Sequence, residues 1–325
     1  MRVLVTGGSG FLGSWVCELL SKRGDDVRAL VRRTSNTKHL KTLSRVELAE
    51  GTVEDARSVE EAARDADAIV HCAGLVKARN EDELARVNVQ GARNLVEAAK
   101  KHGVRRFVHV SSLEAAGPSR DGSPVSREQE KPCTAYGRSK LAGEKAVLEH
   151  KDSVHGVVLR PGAIYGPRDV EILEAFKSVK RGLMPTIDGG HALGSFVWGP
   201  DCAEACIRAL EADVPSGSTY FVDDGGPAVS QREFFEMIEA ALGKRALVRM
   251  SLPKALLKTV ALGVEAYGKA SGKAVMLTRE KAEMLLQHFV CESSQTQKDL
   301  GWKPEVPLRE GTRRAVAWYR ENGWL

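Results

Sequence analysis

Residues 3–13 read Val-Leu-Val-Thr-Gly-Gly-Ser-Gly-Phe-Leu-Gly, so an apolar run passes directly into glycines with the spacing Gly7-x-x-Gly10-x-x-Gly13. One glycine permits a tight turn, one lets the backbone approach a pyrophosphate, and one lets a helix pack closely on a strand. Backbone amides that open a helix near Phe11 would face the phosphates, because unpaired N–H groups and the helix dipole favour an anion. The stretch therefore predicts a strand, a phosphate-binding turn and a helix.

Strand-like runs then alternate with helix-length segments, the runs being 3–6, 27–31, 46–50, 68–72, 107–111 and 157–160. Such alternation requires right-handed crossovers and predicts an α/β fold with a Rossmann-type, doubly wound parallel sheet. The rhythm loosens after about residue 165, where Pro and Gly separate shorter elements. We predict a dinucleotide-binding domain over 1–165, with a return segment near 200–225, and a smaller, mostly helical substrate lobe over 166–325.

The composition narrows the class of protein. With 48 Lys and Arg against 43 Asp and Glu in 325 residues, the chain is mildly basic. Basic stripes interleaved with aromatic residues are absent, so no nucleic-acid partner is expected. The six cysteines are scattered without C-x-x-C pairs, which supports neither disulfides nor a metal site. There is no signal-peptide pattern and no run of about 18 uncharged apolar residues, so a cytoplasmic protein is expected.

The second predicted strand ends in Val31-Arg32-Arg33-Thr34-Ser35. In a Rossmann unit the residue at this place binds the adenosine ribose of the cofactor. An acidic residue favours a free 2′-hydroxyl on that ribose, whereas an arginine accommodates a 2′-phosphate. No acid is available, and a guanidinium matches phosphate geometry with two parallel hydrogen bonds. The pattern favours NADP(H), with NAD(H) as the second option. The alternative is that both arginines simply lie in solvent after the strand.

Tyr136-Gly137-Arg138-Ser139-Lys140 places a phenol and an ammonium four residues apart, hence on one face of a helix. An ordinary tyrosine titrates at about pH 10, and a neighbouring Lys⁺ lowers that value by stabilising the phenolate. The pair therefore suits acid and base chemistry near neutral pH. The strand at 107–111 leads into Ser111-Ser112, whose hydroxyls would bind a substrate carbonyl; the alternative role of such a pair is capping of a helix or turn.

Taken in order, these motifs resemble those of the extended short-chain dehydrogenases/reductases. The matching stretches cover essentially the whole chain and are Thr6-Gly7-Gly8-Ser9-Gly10-Phe11-Leu12-Gly13, His71-Cys72-Ala73-Gly74, Asn88-Val89-Gln90-Gly91, Ser111-Ser112, Tyr136-x-x-x-Lys140, Leu159-Arg160-Pro161-Gly162-x-x-Tyr165-Gly166-Pro167, Leu300-Gly301-Trp302-x-Pro304 and Trp318-Tyr319. Jointly they are highly specific. The resemblance implies an NAD(P)-dependent oxidoreductase that acts on a small-molecule substrate.

The resemblance also implies residue roles. Tyr136 would be the acid/base, and Lys140 its electrostatic partner and a ribose ligand. Ser112 would orient a substrate carbonyl; it is favoured over its neighbour because it lies five residues before Gly117, where the family's catalytic hydroxyl stands. Asn88 would kink its helix and take part in a proton relay. The residues expected to line the cofactor are Gly7, Gly10, Phe11, Leu12, Gly13, Arg32, Arg33, Ala73, Lys140 and Pro161.

Within the family, the chain is most similar to the 3β-hydroxysteroid dehydrogenase and dihydroflavonol-reductase-like branch. Sugar-nucleotide 4,6-dehydratases carry Thr-Asp-Glu where this chain has Ser112-Leu113-Glu114, and Glu114 is expected to be a solvated loop carboxylate. A departure follows the third strand: the family often has an Asp there to hold the adenine amine, whereas this chain reads Glu50-Gly51-Thr52-Val53.

Three functions fit these features. The first is an NADP(H)-dependent carbonyl reductase or alcohol dehydrogenase with an apolar substrate. The second is a sugar-nucleotide epimerase, against which Arg32 and Arg33 argue because epimerases usually hold NAD. The third is a non-catalytic NADP-binding sensor, against which the presence of Ser112, Tyr136 and Lys140 argues.

Two features of the predicted substrate lobe bear on the substrate. At 253–270, Leu256, Leu257, Val260 and Val264 are expected to form one apolar face. The segment is interpreted as a core helix, with a lid over an apolar substrate and a peripheral membrane contact as alternatives. Arginines that would clamp a diphosphate are sparse, being Arg168, Arg181 and Arg249.

Finally, helices at 84–101 and 134–150 commonly pair in this family, so a homodimer is expected.

Overall fold

A computed structural model describes residues 1–275 and 277–325. Its strands are β1 (Arg2–Thr6), β2 (Asp26–Val31), β3 (Val46–Glu50), β4 (Ala68–His71), β5 (Arg106–Val110), β6 (His155–Pro161), β7 (Ala163–Tyr165), β8 (Leu183–Ile187), β9 (Leu193–Gly194), β10 (Phe196–Trp198), β11 (Ser218–Val222), β12 (Val229–Ser230) and β13 (Val248–Leu252). Its helices are α1 (Phe11–Arg23), α2 (Ala56–Ala63), α3 (Glu81–Leu84), α4 (Gly91–Lys101), α5 (Leu113–Ala116), α6 (Ala135–Leu148), α7 (Leu173–Lys180), α8 (Gly199–Glu211), α9 (Gln231–Leu242), α10 (Lys254–Ser271), α11 (Arg279–Met284), α12 (Ser294–Leu300) and α13 (Leu308–Glu321).

A parallel sheet of seven strands organises the molecule, in the order β11-β6-β5-β4-β1-β2-β3. The six strands predicted from the sequence are confirmed, each within two residues at either end. The seventh, β11, pairs with β6, so the chain returns to the sheet after residue 200. The strand order reverses between β1 and β4, and ligands of such sheets bind at this switch point, beyond the carboxyl ends of the strands.

Helices cover both faces of the sheet. In β1, Val3 and Val5 enter one apolar core and Leu4 enters the other, because successive side chains of a strand point to opposite faces. The first core lies under α1 and α8, where Cys202 and Cys206 are fully buried. The second lies under α2 and α4. With both faces covered, the central strands contain continuous apolar runs, such as residues 3–5 in β1 and residues 68–70 in β4, as expected for a parallel sheet.

A separate core holds the C-terminal lobe together around α7, α9 and α13. It is rich in aromatic rings, which meet edge to face: Tyr165 with Trp198 at 5.5 Å between ring centroids, and Phe176 with Tyr319 at 5.3 Å. A β-carbon on Gly311 would lie 2.0 Å from the Tyr165 hydroxyl, so α13 can approach this ring only at a glycine.

Helices α10 and α11 form a small unit, called the cap below. Its buried apolar side chains are Leu257, Ala261 and Ala282. The single apolar face predicted for α10 does not form: Leu257 is 2% exposed, whereas Leu256 and Val260 are 50% and 41% exposed. Neighbouring residues point about 100° apart on a helix, so one stripe packs inward and another faces outward. Among the described residues, no helix combines the length and the apolar character needed to cross a membrane.

Candidate active site

The glycine turn after β1 leaves the start of α1 open. Gly7 has a φ of +67°, and a β-carbon there would lie 2.8 Å from the Ala73 nitrogen. A β-carbon on Gly13 would lie 2.2 Å from the Gly7 oxygen, so α1 packs directly on the turn. Gly10 precedes α1 and offers no capping side chain, which leaves the first helix amides to bind an anion. This cradle fits the phosphates of a dinucleotide.

A groove of about 550 Å³ extends from this turn across the ends of β1, β2 and β4. Of the residues predicted to line the cofactor, those that border it are Gly7, Gly10, Phe11, Arg32 and Ala73. Five predicted residues do not border it: Leu12, Lys140 and Pro161 are buried, Gly13 lies beneath the turn, and Arg33 is exposed away from the wall. Where the family often has an Asp, residues 51–54 border the groove.

Arg32 lies where the adenosine ribose of a bound cofactor would be recognised. Its backbone N–H donates to Ser35 Oγ at 3.2 Å, and its carbonyl accepts from the Ser35 N–H at 2.8 Å. This turn brings Arg32, Thr34 and Ser35 to the groove wall. Within the described part of the chain, no carboxylate forms an ion pair with Arg32, so its guanidinium is available to a phosphate.

The two serines after β5 have different partners. Ser111 donates a short hydrogen bond to the Glu144 carboxylate, which Arg160 also binds, at 2.6 and 2.9 Å. The Glu144 and Arg160 side chains are only 2% and 3% exposed, so Ser111 belongs to a buried network. Ser112 is half-buried and accepts from the Glu114 N–H at 3.2 Å as the N-cap of α5. Ser112 is therefore the serine at the site's edge, although it also has the capping role.

Tyr136 and Lys140 lie one turn apart at the start of α6. Lys140 is 4% exposed and donates from Nζ to the Val110 carbonyl at 2.7 Å; burial lowers its pKa to about 8. Burial, and then the nearby Glu114 carboxylate, raise the pKa of Tyr136, while a hydrogen bond with Ser112 opposes that rise. The structure thus differs from the expectation that Lys140 lowers the tyrosine's pKa, because the ammonium is directed at a backbone carbonyl.

Asn88 lies in a π-helical turn, Ala85–Gln90, between α3 and α4, which agrees with its expected place at a helix kink. Its amide nitrogen donates to the Leu75 carbonyl at 2.9 Å and to Ser139 Oγ at 2.8 Å, and its amide oxygen accepts from the Leu75 N–H at 2.8 Å. A β-carbon on Gly74 would lie 3.2 Å from the Asn88 oxygen and 3.7 Å from Lys140 Nζ. Asn88 and Lys140 are therefore buried directly behind Gly74, which borders the groove.

Beyond Tyr136, a cleft of about 750 Å³ opens between the sheet and the cap. Residues 72–75 border the groove and residues 76–81 border the cleft, so the two cavities are neighbours.

The prediction of a solvated Glu114 is wrong. Its side chain is 14% exposed, accepts from Thr134 Oγ1 at 2.8 Å and pairs with Lys281 Nζ at 3.0 Å. Lys281 of the cap supplies the positive charge that compensates for burial of the Glu114 carboxylate.

A second contact joins the cap to the helix that carries Tyr136. The Glu280 carboxylate accepts from the Ala135 N–H at 2.7 Å and from Arg138 at 2.9 Å. A carboxylate is favoured there because the N-terminus of α6 carries partial positive charge. This contact and the Glu114–Lys281 pair are together called the cap seam.

Sequence reasoning missed the cap seam. Lys281 is 167 residues from Glu114, and no local pattern links them. The signal that was available is the position of Glu114, two residues after Ser112, which places a charge beside any substrate. From α10, the cleft is bordered by Glu265, Gly268 and Lys269 and not by the predicted apolar face.

Two of the three arginines considered for a diphosphate clamp have other partners, and the third is exposed. Arg168 lies over the Trp15 ring, 3.6 Å from its centroid, and donates to Glu18 at 2.9 Å. Arg249 pairs with Glu239 at 2.6 Å. Arg181 ends α7 and is exposed. None of the three borders the cleft, so none is placed to clamp a diphosphate there.

Two histidines lie side by side beneath the site, in β4 and β5. The His71 and His109 rings are 5.1 Å apart, and both residues are 0% exposed. His71 Nδ1 is 2.7 Å from the Thr6 hydroxyl. Burial, and then the charge of Lys140, lower the pKa of His71 to about 3 and also lower that of His109. Both rings are neutral near pH 7.

Taken together, the open α1 terminus at the switch point and the Ser-Tyr-Lys set beside it are characteristic of nicotinamide-dependent short-chain dehydrogenases/reductases. A sequence model of the NAD dependent epimerase/dehydratase family matches residues 3–222, and the chain belongs to that family. It is an NAD(P)-dependent oxidoreductase of the extended type, in the 3β-hydroxysteroid dehydrogenase-like branch.

Relatives match the chain along its whole length. It is 31% identical over 324 residues to ceramide reductase of Caulobacter vibrioides, covering 99% of this chain and 96% of that one. It is 29% identical over 342 residues to sterol demethylase protein B of Methylococcus capsulatus, covering 100% of each. The structure of UDP-glucose 4-epimerase of Thermotoga maritima with UDP-glucose is similar at a TM-score of 0.81 and 20% identity, over 99% of each chain. That likeness shows the fold alone.

Proposed function

We propose that this protein is an NADP(H)-dependent oxidoreductase that transfers a hydride between the nicotinamide and an apolar alcohol or ketone. The observation that carries the proposal is the position of Tyr136, on the border of a cleft that adjoins the dinucleotide groove. Ser112 forms a hydrogen bond with Tyr136, Lys140 follows one turn later in α6, and Asn88 donates to the adjacent Ser139. The names of two relatives, a ceramide reductase and a sterol demethylase protein, support an apolar substrate. We further infer that residues 1–165, with α8 and β11, bind the cofactor and that 166–325 supply the substrate lobe.

The bound nicotinamide would supply the hydride acceptor or donor. In alcohol oxidation, the substrate C–H bond breaks with its electron pair leaving as hydride, and the hydroxyl proton passes to the Tyr136 oxygen as the C=O bond forms. In ketone reduction, Tyr136 returns that proton. The Ser112 hydroxyl donates to the substrate oxygen. The Lys140 ammonium, which donates to the Val110 carbonyl, lies behind Gly74, where it would bind the ribose of the cofactor. Asn88 holds the backbone at Leu75 against α6 and so sets the spacing between groove and cleft.

Replacing Tyr136 by Phe tests the catalytic role. We expect turnover to fall by about 100-fold or more, the scale of general acid/base catalysis, while the fold and cofactor binding stay intact. Turnover of hydroxysteroids and aromatic ketones, measured beside a cofactor titration, separates the two effects. Tyr267→Phe, at an exposed tyrosine of α10, is the matched control. An active Tyr136→Phe enzyme would assign the proton transfer to another group.

The two arginines after β2 provide their own control for the cofactor preference. Arg32→Ala should weaken NADP(H) binding by about 1–3 kcal/mol, the scale of hydrogen bonds to charged groups, and leave NAD(H) binding little changed. Arg33→Ala should have a smaller effect, because Arg33 does not border the groove. Dissociation constants of both cofactors decide the point. A wild-type protein that binds NAD(H) more tightly than NADP(H) would contradict the preference.

A sugar-nucleotide epimerase is the second candidate, favoured by the basic side chains on the border of the cleft, which are Lys77, Arg79, Lys269, Lys273, Arg279 and Lys281. Against it, Arg79 pairs with Glu83 and Arg279 with Glu265. Calorimetry on the NADP-bound protein, with a UDP-hexose and with a hydroxysteroid, distinguishes the substrates. We expect binding of the steroid, since apolar area contributes about 25 cal/mol per Å² buried. Tight binding of the sugar nucleotide alone would establish the epimerase.

A further inference from the structure

We propose that the outer face of α10, together with the adjoining strand β13, binds the surface of an anionic lipid membrane. On α10, Leu256, Val260 and Tyr267 are 50%, 41% and 58% exposed. Their spacing places them on one stripe, about 100° from the stripe of Leu257 and Ala261 that packs into the cap. This stripe, Leu256, Val260 and Tyr267, is called the outer stripe below.

The strand before α10 continues the exposed apolar surface. Val248 and Met250 lie two residues apart, hence on one face of β13, and are 46% and 56% exposed. Leu183, directly opposite Val248 in β8, is 41% exposed. Single exposed apolar residues are ordinary, but a cluster of this kind marks an interaction surface.

Charge identifies the partner. Residues 244–273 hold seven Lys and Arg side chains, of which Arg249, Lys258 and Lys269 pair with Glu239, Glu283 and Glu265. The other four are Lys244, Arg245, Lys254 and Lys273, which form no ion pair with the described residues. Of these four, Lys244, Arg245 and Lys254 adjoin the exposed apolar residues of β13 and the start of α10 in the sequence. Exposed apolar side chains next to cations are typical of a segment that binds an anionic lipid interface.

A second copy of the chain is the other candidate occupant. A two-fold dimer would place the same face of both copies together and bring the two positive segments into contact. Like charges in contact are repelled, so the charge that favours an anionic lipid surface opposes this dimer. The homodimer predicted from 84–101 and 134–150 would use α4 and α6, which contain none of the large exposed apolar side chains of the described residues.

The same helix connects the lipid surface to the active site. Gly268 and Lys269, in the last turns of α10, border the cleft while the outer stripe faces away from the cap core. A molecule that rests on the membrane through α10 therefore holds its cleft beside the lipid. The lipid contact itself does not depend on the proposed substrate.

Sedimentation of the full-length protein with vesicles tests the contact. We expect wild type to bind vesicles of phosphatidylglycerol and phosphatidylcholine in equal parts, to bind phosphatidylcholine alone weakly, and to dissociate as ionic strength rises. The triple variant Leu256→Gln, Val260→Gln, Tyr267→Gln should lose more than about tenfold in vesicle affinity. Its matched control is Val170→Gln, at a 58% exposed valine outside this surface. Circular dichroism and a cofactor titration verify that both variants fold.

A charge variant tests the second half of the argument. Arg245→Gln with Lys254→Gln should weaken vesicle binding by about fivefold for each charge removed. The control pair, Lys41→Gln with Lys131→Gln, removes two exposed lysines elsewhere and should bind as wild type does. Wild type that binds neither vesicle overturns the proposal. The proposal is also overturned if wild type binds no vesicles but forms a dimer in light scattering, and the triple variant is a monomer. The outer stripe would then join two copies of the chain. Turnover of a dissolved substrate does not depend on vesicle binding, so it tests the proposed function separately from the lipid contact.

Discussion

The sheet side and the cap side of the cleft are held in place by different forces. On the sheet side, Asn88 and the Glu144–Arg160 pair are 1–3% exposed and fully hydrogen-bonded. The cap has few buried side chains, and its seam is partly wet: Lys281 is 25% exposed, and Glu280 and Arg138 are 43% and 42% exposed. Exposed ion pairs are weak and screened by salt. The groups proposed for proton transfer therefore lie on the rigid side of the cleft, and the weakly held cap is the side able to move.

The sharpest contrast comes from one substitution made in each region. Gly13→Ala would place a β-carbon 2.2 Å from the Gly7 oxygen and should cost about 3 kcal/mol, the upper range for overpacking. Gly263→Ala lies in α10 with no atom within 4 Å and should stabilise by about 1 kcal/mol, the difference in helix propensity. Denaturant unfolding of both variants measures the two changes. Effects of the same sign would contradict the division into a packed and an open region.

Acid should expose the buried histidines of the sheet side. Unfolded, His71 titrates at about pH 6.5; folded, its pKa is about 3. Between these two pH values the unfolded chain binds one more proton than the folded chain. The free energy of unfolding therefore decreases as the pH is lowered, by about 1.4 kcal/mol per pH unit for this residue. Below pH 6, His71→Gln should show a slope that is shallower by that amount. His191→Gln, at an exposed histidine, is the control; equal slopes in all three proteins would refute the assignment.

The smallest effect is expected at the cap seam. Lys281→Gln leaves Glu114 without its cation, and this carboxylate raises the pKa of Tyr136. In the proposed mechanism alcohol oxidation rises with pH as Tyr136 loses its proton, and this rise should therefore move to higher pH. Partly exposed ion pairs are worth less than about 1 kcal/mol, so the rate at fixed pH should fall by at most about fivefold. The pH profile of kcat/KM measures this; Lys303→Gln, at an exposed lysine, is the control. An unmoved profile would show that the pair does not act on Tyr136.

Local patterns were enough to predict the sheet side. Each of its strands is a short apolar run bounded by turn residues, and Ser112, Tyr136 and Lys140 lie on elements whose order brings them together. The cap was only partly predicted. The apolar residues of 253–270 indicated a helix, but a periodic stripe does not show what covers it, and the structure divides the stripe between core and solvent. Glu114 and Lys281 meet only after the chain has folded, so their pairing has no local signal.

The Glu114–Lys281 pair also links the proton on Tyr136 to the position of the cap. A contact that changes a group's proton affinity is itself changed, by the same free energy, when that group gains or loses its proton. Docked Lys281 offsets the charge of Glu114 and so favours the phenolate; reciprocally, the phenolate strengthens docking and the neutral phenol weakens it. With Tyr136 as the proton-transfer group, oxidation of an alcohol leaves the cap loosened around the ketone. Reduction leaves it tightened around the alcohol until a proton returns, so release of product is the step that distinguishes the two directions.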